Sequence, residues 1–509
     1  MDFYRNKDNS QRPPTIILVI LFTSLAGFFY LRFLLDPQNM GDVAPYFLVL
    51  VAELFFIIQA LLAFWTILMG EKDPRDYQYY DVQKQLINHR GTVRLKGKVV
   101  RINVFITVYG EDIDIIRKTA VAARDMQGKH YTYILDDGKS DEVQQLAKEL
   151  NVGYIRRTKN LGAKAGNVNN ALKNTKSHFF VILDADHVPE PNFLFETMPF
   201  FYDDTVSYVQ TPQYFEHMDS FIAKGSGYAQ RIFYQLISRG KNQFNAAFCV
   251  GTNVVFRTSH VKEIGGIYQK SNSEDIWTSI LLHEKGYKSV FISDILAKGE
   301  APETTKAYVK QQQRWATGGF EILLRHNPIF RNLSLDQKIQ YFGSATFYLN
   351  GVANFLLFLL PSFYIYLGLI PMQSEFGILE WAIRYFPFYF LQIAVAFYFM
   401  KGFRWETMIL SFVSFPIYLK ALWNVLIGRD EKWNVTGQKE SDSPFNYIIP
   451  QLILFIYLVI TLVIAGFDLM WYRNSGIWIA FTWQSINTGI FGYFIWMVYR
   501  EYKLQKINV

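Results

Sequence analysis

Long apolar runs bracket one long polar stretch. Thr15 to Leu35 and Tyr46 to Met69 are each apolar over the ~20 residues a bilayer-spanning helix needs. A polar stretch follows, roughly residues 71–335. Apolar runs resume at 342–370, 381–400, 446–467 and 476–499. The pattern predicts two spans before the polar stretch and four after it. It divides the chain into residues 1–70 (tail and two spans), 71–335 (a polar domain) and 336–509 (four spans). The first run is long, lacks a small-residue cleavage site and is soon followed by a second, so it reads as a span and not as a cleaved leader. Arg5, Lys7 and Arg12 precede it, whereas Asp36 and Asp42 lie between the first two spans. The positive-inside rule puts the N-terminus, and with it the polar domain, on the cytoplasmic side of the cell membrane.

Residues 405–427 are apolar enough for a further span but carry Glu406, Pro416 and Lys420. Lys401, Arg404, Arg429 and Lys432 flank them on both sides. That charge pattern favours a helix lying in the cytoplasmic interface. Glu53 sits inside the second span, facing the helix bundle or a polar cavity, or lining a path through the membrane.

The polar domain alternates between two periods. Residues 102–109, 131–135, 152–155 and 179–183 read as strands. Helical stretches at 111–126, 141–150 and 163–172 separate them, which implies a parallel α/β sheet. Ligands bind such sheets at the carboxyl ends of the strands. Asp136-Asp137-Gly138 and Asp184-Ala185-Asp186 both fall there.

Composition narrows the chemistry. Half of the 509 residues are hydrophobic and only 19% are charged. The net charge of +7 is spread along the chain, so anionic lipid or an anionic substrate is expected, and no nucleic acid. Cys249 is the single cysteine; between Phe248 and Val250 it reads as a small buried hydrophobe.

The candidate site residues are mostly acids. Asp184 and Asp186 offer the oxygen ligands that Mg²⁺ (or Mn²⁺) shares with substrate phosphates. His187 follows them and either completes the metal site or lies outside it. Lys164, in Leu161-Gly162-Ala163-Lys164-Ala165-Gly166-Asn167, either meets a phosphate or is a solvated lysine at a helix start. Ser273-Glu274-Asp275 reads as a helix cap, or as a carboxylate pair in which Asp275 takes a proton from a hydroxyl beside Glu274. Gln311, Arg314 and Trp315 put a donor, a cation and a broad π face together.

In order, these motifs resemble the processive family 2 glycosyltransferases, the group of cellulose and hyaluronan synthases. Val104 to Asp112 resembles the opening strand of bacterial cellulose synthases, Leu161 to Asn167 their AKAGN segment and Gln210-Thr211-Pro212 their QTP run. Ser273-Glu274-Asp275 stands where the family has Thr-Glu-Asp, and Gln311-xx-Arg314-Trp315 matches QxxRW. Trp433 to Lys439 resembles the gating loop FxVTxK within residues 429–445, with Trp for Phe and one residue added before Lys439.

The resemblance implies a GT-A-type α/β glycosyltransferase domain fused to an α-helical transmembrane channel. Tyr109, Glu111, Asp137 and Lys164 would lie near the nucleotide, with Asp184, Gln311 and Arg314 on the donor. Asp184 and Asp186 would hold the metal, and Asp275 would activate the acceptor in a one-step inverting transfer. Trp315 would hold the acceptor sugar, and Val435, Thr436 and Lys439 would close over the nucleotide. The expected reaction polymerises glucose from UDP-glucose into a β-glucan, cellulose or mixed-linkage, and moves the nascent polymer through the lipid bilayer. Accessory subunits for export or regulation remain open. The alternatives are an N-acetylhexosamine polymer (chitin-like or hyaluronan), a non-processive lipid-linked transfer, or a channel without catalysis. About ten residues follow the last apolar run, too few for a fused cyclic-dinucleotide-sensing barrel.

Overall fold

The computed structural model describes residues 14–70, 73–88, 92–373, 378–400, 402–429, 443–472 and 475–507. A seven-stranded sheet organises the polar domain. Its strands are β1 (Ile102–Val108), β2 (Tyr131–Asp136), β3 (Gly153–Arg156), β4 (Phe179–Asp184), β5 (Val206–Gln210), β6 (Val254–Arg257) and β7 (Lys288–Phe291). The spatial order is β7-β5-β6-β4-β1-β2-β3. β4, β1, β2 and β3 run parallel, as the alternating pattern predicts. β6 departs from it and pairs antiparallel with both β4 and β5. It enters the sheet at Val254, opposite Ile182, so the residues just before it reach the end where Asp184 lies.

The strands are apolar on both faces because helices cover both. Val104 and Ile106 pack into one core, and Phe105 into the other. On the second face Phe180 stacks on Phe256 at 5.3 Å and meets Phe105 at 5.8 Å. Buried aromatics of this kind contribute roughly 1.5–3 kcal/mol each. In register, Val108 opposes Asp136 and Thr107 opposes Asp184, so the acidic strand ends share one level.

Among the described residues five helical stretches are long and apolar enough to cross a membrane: 17–35, 43–69, 335–367, 405–426 and 449–471. Further long helices occupy Ile378–Met400 and Ser475–Ile507. The 405–426 stretch is unlike the other four. Buried residues make up 56% of its most apolar window, against 17–33% in the rest. It is two helices, Trp405–Val413 and Phe415–Leu426, meeting at Ser414. The second packs along Thr305–Arg325, the helix that carries Gln311, Arg314 and Trp315. Glu53, in the 43–69 helix, is buried and accepts a hydrogen bond from Tyr389 of the Ile378–Met400 helix.

Candidate functional site

The two acids at the end of β2 do different work. Asp136 accepts hydrogen bonds from the N–H groups of Lys139 (2.9 Å) and Ser140 (2.8 Å) and from the Tyr154 hydroxyl (2.7 Å). It therefore shapes the turn. Asp137 is gripped at both oxygens by Arg157, Nε to Oδ1 and Nη2 to Oδ2, each 2.6 Å. Arg157 is buried and also donates to the carbonyls of Leu161 and Ala163, each at 2.6 Å. It thus fastens Asp137 to the loop that opens the Ala163–Asn174 helix. The loop is tight: Gly162 and Ala163 both have positive φ, +72° and +43°. Gly166 is required by this packing, since a Cβ there would lie 2.6 Å from Arg157 Nη1.

Lys164, in the first turn of that helix, reaches across to Asp184 and pairs with its Oδ1. Burial opposes the lysine's charge, but Asp184 outweighs it and raises the pKa. Asp184 Oδ1 also accepts from Thr107 Oγ1 at 3.1 Å, and the Asp184 N–H donates to Thr252 Oγ1 at 2.9 Å. Asp186 pairs with His187 Nδ1 at 2.8 Å. Burial works against the charge on both, yet their mutual attraction lowers the acid's pKa and raises that of the histidine. Asp184, Asp186 and His187 each offer a ligand atom within 4.8 Å of the others. The oxygen-rich set fits a hard divalent cation. Glu111 stands in the same field. Its pKa is raised by burial, with Asp184 and Asp186 adding to it, while the Tyr109 N–H, donated to Glu111 Oε2 at 2.7 Å, works the other way.

Glu274 and Asp275 occupy the first turn of the Glu274–Glu284 helix. Ser273 makes no side-chain capping bond and instead packs against Gly318. Burial and then the neighbouring Glu274 push the Asp275 carboxyl from 3.8 up to about 7. Burial also raises Glu274, against the pull of Lys164 and Arg314. Such a carboxyl is poised to exchange a proton near neutrality. Arg314, exposed on its helix, lies within electrostatic reach of Lys164, Glu274 and Asp275. These charges therefore form one cluster at the sheet's carboxyl end.

Some residues of this site, Gly251 and Tyr234 among them, carry no sequence signal of their own. The segment ahead of β6 lines it. Gly251, at φ +83°, would place a Cβ 3.4 Å from Asp275 Oδ2 and 3.6 Å from Lys164 Nζ. Gln210 ties that segment down, donating to the carbonyl of Thr252 (2.8 Å) and accepting from the Val250 N–H (3.0 Å). Cys249 is buried, as its apolar neighbours imply, and burial raises its thiol pKa so that it stays protonated. A π-helical turn, Phe233–Ser238, brings Tyr234 within electrostatic reach of Asp275. Single π turns recur at functional sites.

The Thr305–Arg325 helix is held at both ends. Near its C-terminus the buried Glu321 accepts from Ser271 Oγ (2.7 Å), the Asn272 N–H (3.0 Å) and Asn272 Nδ2 (3.1 Å), the turn that leads into Asp275. At its N-terminus Glu501, from the Ser475–Ile507 helix, accepts from the Thr305 N–H at 3.1 Å and from its hydroxyl at 2.5 Å. Gln311 Oε1 is buried without a hydrogen-bond partner, and Trp315 is half-buried. Val435, Thr436 and Lys439 lie outside the described residues.

Residues 179–401 match the sequence model of the glycosyl transferase family group 2. The UDP-forming cellulose synthase catalytic subunit of Xanthomonas axonopodis pv. citri (strain 306) is 33% identical over 265 residues, 50% of this chain and 36% of that protein. Its counterpart in Pseudomonas fluorescens (strain SBW25) is 32% identical over 279 residues, 52% of this chain and 38% of that protein. The matched region thus spans well under half the length of these relatives. Among solved structures, the Pyrobaculum calidifontis mannosyltransferase PcManGT, in complex with GDP-Man and Mn²⁺, aligns with a TM-score of 0.49 at 17% identity, covering 74% of this chain and 100% of that one.

Proposed function

For a chain that carries a glycosyl transferase family group 2 domain, we propose the activity of a membrane-embedded, processive, inverting synthase. It adds glucose from UDP-glucose to a β-glucan and passes the polymer across the bilayer. The observation that carries this reading is the charge cluster at the sheet's carboxyl end. Asp184, Lys164, Glu274, Asp275 and Arg314 meet there, and Arg314 comes from the Thr305–Arg325 helix, which packs against the apolar 405–426 stretch. Relatives named for UDP-forming cellulose synthesis add to it.

In this reading Asp275 accepts the proton of an acceptor hydroxyl. The hydroxyl oxygen attacks the anomeric carbon as the bond to the UDP oxygen breaks, a single displacement that inverts configuration. Lys164 and Arg314 face the diphosphate and favour its negative charge as it leaves. A divalent cation held by Asp184 and Asp186 would offset further charge on the diphosphate. Glu111 and Asp137 stand on the nucleotide side, Asp137 kept in place by Arg157. Trp315 offers its face to the acceptor sugar. The polar domain lies on the cytoplasmic side, where nucleotide-sugars are.

The test is UDP release by the purified protein in nanodiscs, with Mg²⁺ or Mn²⁺ and a panel of UDP-sugars. Any polymer is then digested with linkage-specific glucanases. Turnover of UDP-glucose to a long glucanase-sensitive product is expected. Turnover only with UDP-N-acetylglucosamine or UDP-glucuronic acid would move the chain to the aminosugar polymers. UDP binding without any turnover would sink the synthase reading.

A further inference from the structure

Two arginines that the reaction does not use meet where the Phe221–Ile232 helix packs on the Trp405–Val413 helix. Arg404 sets its guanidinium 4.2 Å from the centre of the Tyr228 ring. Arg231 lies 5.2 Å from the same ring and 4.9 Å from that of Tyr214. Its Nη2 donates to the Tyr214 hydroxyl at 2.9 Å. The Nε–H of each arginine is buried and meets no acceptor. Among the described residues no carboxylate lies within ion-pair distance of either; Glu216, two residues after Tyr214, pairs with His217 and Lys298. Two positive charges sharing one ring repel each other, and buried N–H donors are normally satisfied. Both facts point to an anion.

The depth of the pair indicates where the anion comes from. Trp405, next to Arg404, packs edge-on against Tyr493 at 4.5 Å and meets Phe221 at 5.5 Å. Tyr493 meets Trp496 at 5.4 Å, and Arg500 lies over Trp496 at 5.3 Å. Aromatic rings interleaved with arginines, here in the C-terminal half of the Ser475–Ile507 helix, mark the membrane–water boundary. We propose that Arg231 and Arg404 together bind a phosphate anion at this level, and that a phospholipid headgroup supplies it. The planar guanidinium fork matches phosphate oxygens. The site is separate from the charge cluster around Asp275 and does not depend on which sugar is transferred.

The experiment uses the full-length wild-type protein, stripped of lipid in a phosphate-free maltoside detergent. Phenylglyoxal modification of Arg231 and Arg404 is followed by peptide mass spectrometry, with the exposed Arg101 as reference. Adding phosphatidylglycerol is expected to slow modification at both arginines about tenfold, leaving Arg101 unchanged. Protection by millimolar inorganic phosphate but not by the lipid would keep the anion site and overturn the lipid as its source. Equal modification with and without either probe would overturn the site. In native mass spectrometry the double variant Arg231→Gln, Arg404→Gln is expected to lose a retained phosphatidylglycerol that the wild type keeps. An equal lipid count in the two proteins would count against the proposal.

Discussion

Glu321 accepts a hydrogen bond from the Asn272 N–H at 3.0 Å, and so the helix bearing Arg314 and Trp315 holds the turn that carries Asp275. Two further donors, Ser271 Oγ and Asn272 Nδ2, converge on the same buried carboxylate. Glu321→Ala would strand all three, at about 1 kcal/mol each. With Asp275 as the proposed base the larger effect falls on transfer, since a 1 Å displacement of a reacting group costs on the order of 100-fold in rate. Sugar transfer should therefore fall steeply while UDP affinity stays near wild type. Kinetics and UDP calorimetry on one preparation separate the two. A parallel loss of both would mean that Glu321 supports the fold and not the base.

Asp275 sets a pH dependence with a definite sign. Burial and Glu274 hold its carboxyl at about 7, and it accepts a proton only when ionised. Turnover should rise through pH 7 and be lost below it. Removing the like charge with Glu274→Gln should move that limb to lower pH. A limb that stays in place would assign the titration to another group. The same shift has a stability consequence. A carboxyl with a raised folded pKa stabilises the fold below its unfolded value, and that contribution is lost as pH rises through about 7. Asp275→Asn should therefore melt higher than wild type at pH 8 and show little difference at pH 4. It should also abolish transfer.

The sheet and the acidic strand ends were legible because apolar runs stop on carboxylates at Asp136 and Asp184, a purely local signal. The partners of those acids were not. Arg157 sits 20 residues from Asp137, just past the end of β3. Glu501 lies 196 residues from Thr305. Only folding brings such pairs together, and no periodicity records them. Glu321 had a weak signal: it falls seven residues after Arg314, two helical turns on, on the same face. The antiparallel β6 was hidden for a different reason. A short apolar run has the same pattern in either direction, so Gly251 beside Asp275 came only with the coordinates.

The Asp137–Arg157 pair is buried on both sides, with 8% and 4% of the side chains exposed. Removing one partner leaves a charge without compensation, which costs about 3–5 kcal/mol. Arg157→Ala should melt well below wild type and bind UDP weakly, because Leu161, Ala163 and Asp137 are released together. Arg157→Lys keeps the charge but not the two-pronged geometry, and should recover only part of the stability. Thermal melts of the two variants decide this. Equal stability for Lys and Arg at this position would reduce the pair to a simple charge contact.

Asp184 tests the cation. In Asp184→Ala, UDP affinity should no longer depend on Mg²⁺ or Mn²⁺, whereas in the wild type chelation should weaken it. Titration calorimetry with and without chelator reads the difference. The same metal dependence in the variant would remove Asp184 from the proposed ligands, although it clusters with Asp186 and His187.

Gly251 lies between the base and the lysine, and its φ of +83° suits glycine alone. Gly251→Ala forces an L-residue into the left-handed region, at roughly 1–2 kcal/mol. The new methyl would also stand 3.4 Å from Asp275 Oδ2 and 3.6 Å from Lys164 Nζ, in the path that the proposed reaction gives the acceptor to Asp275. The two effects separate in measurement. The backbone term lowers the melting temperature modestly, whereas the steric term acts only on transfer. Turnover should therefore fall far more than the melt implies, even at temperatures where the variant is fully folded. Full turnover in a folded Gly251→Ala protein would place the acceptor's approach on another side of Asp275.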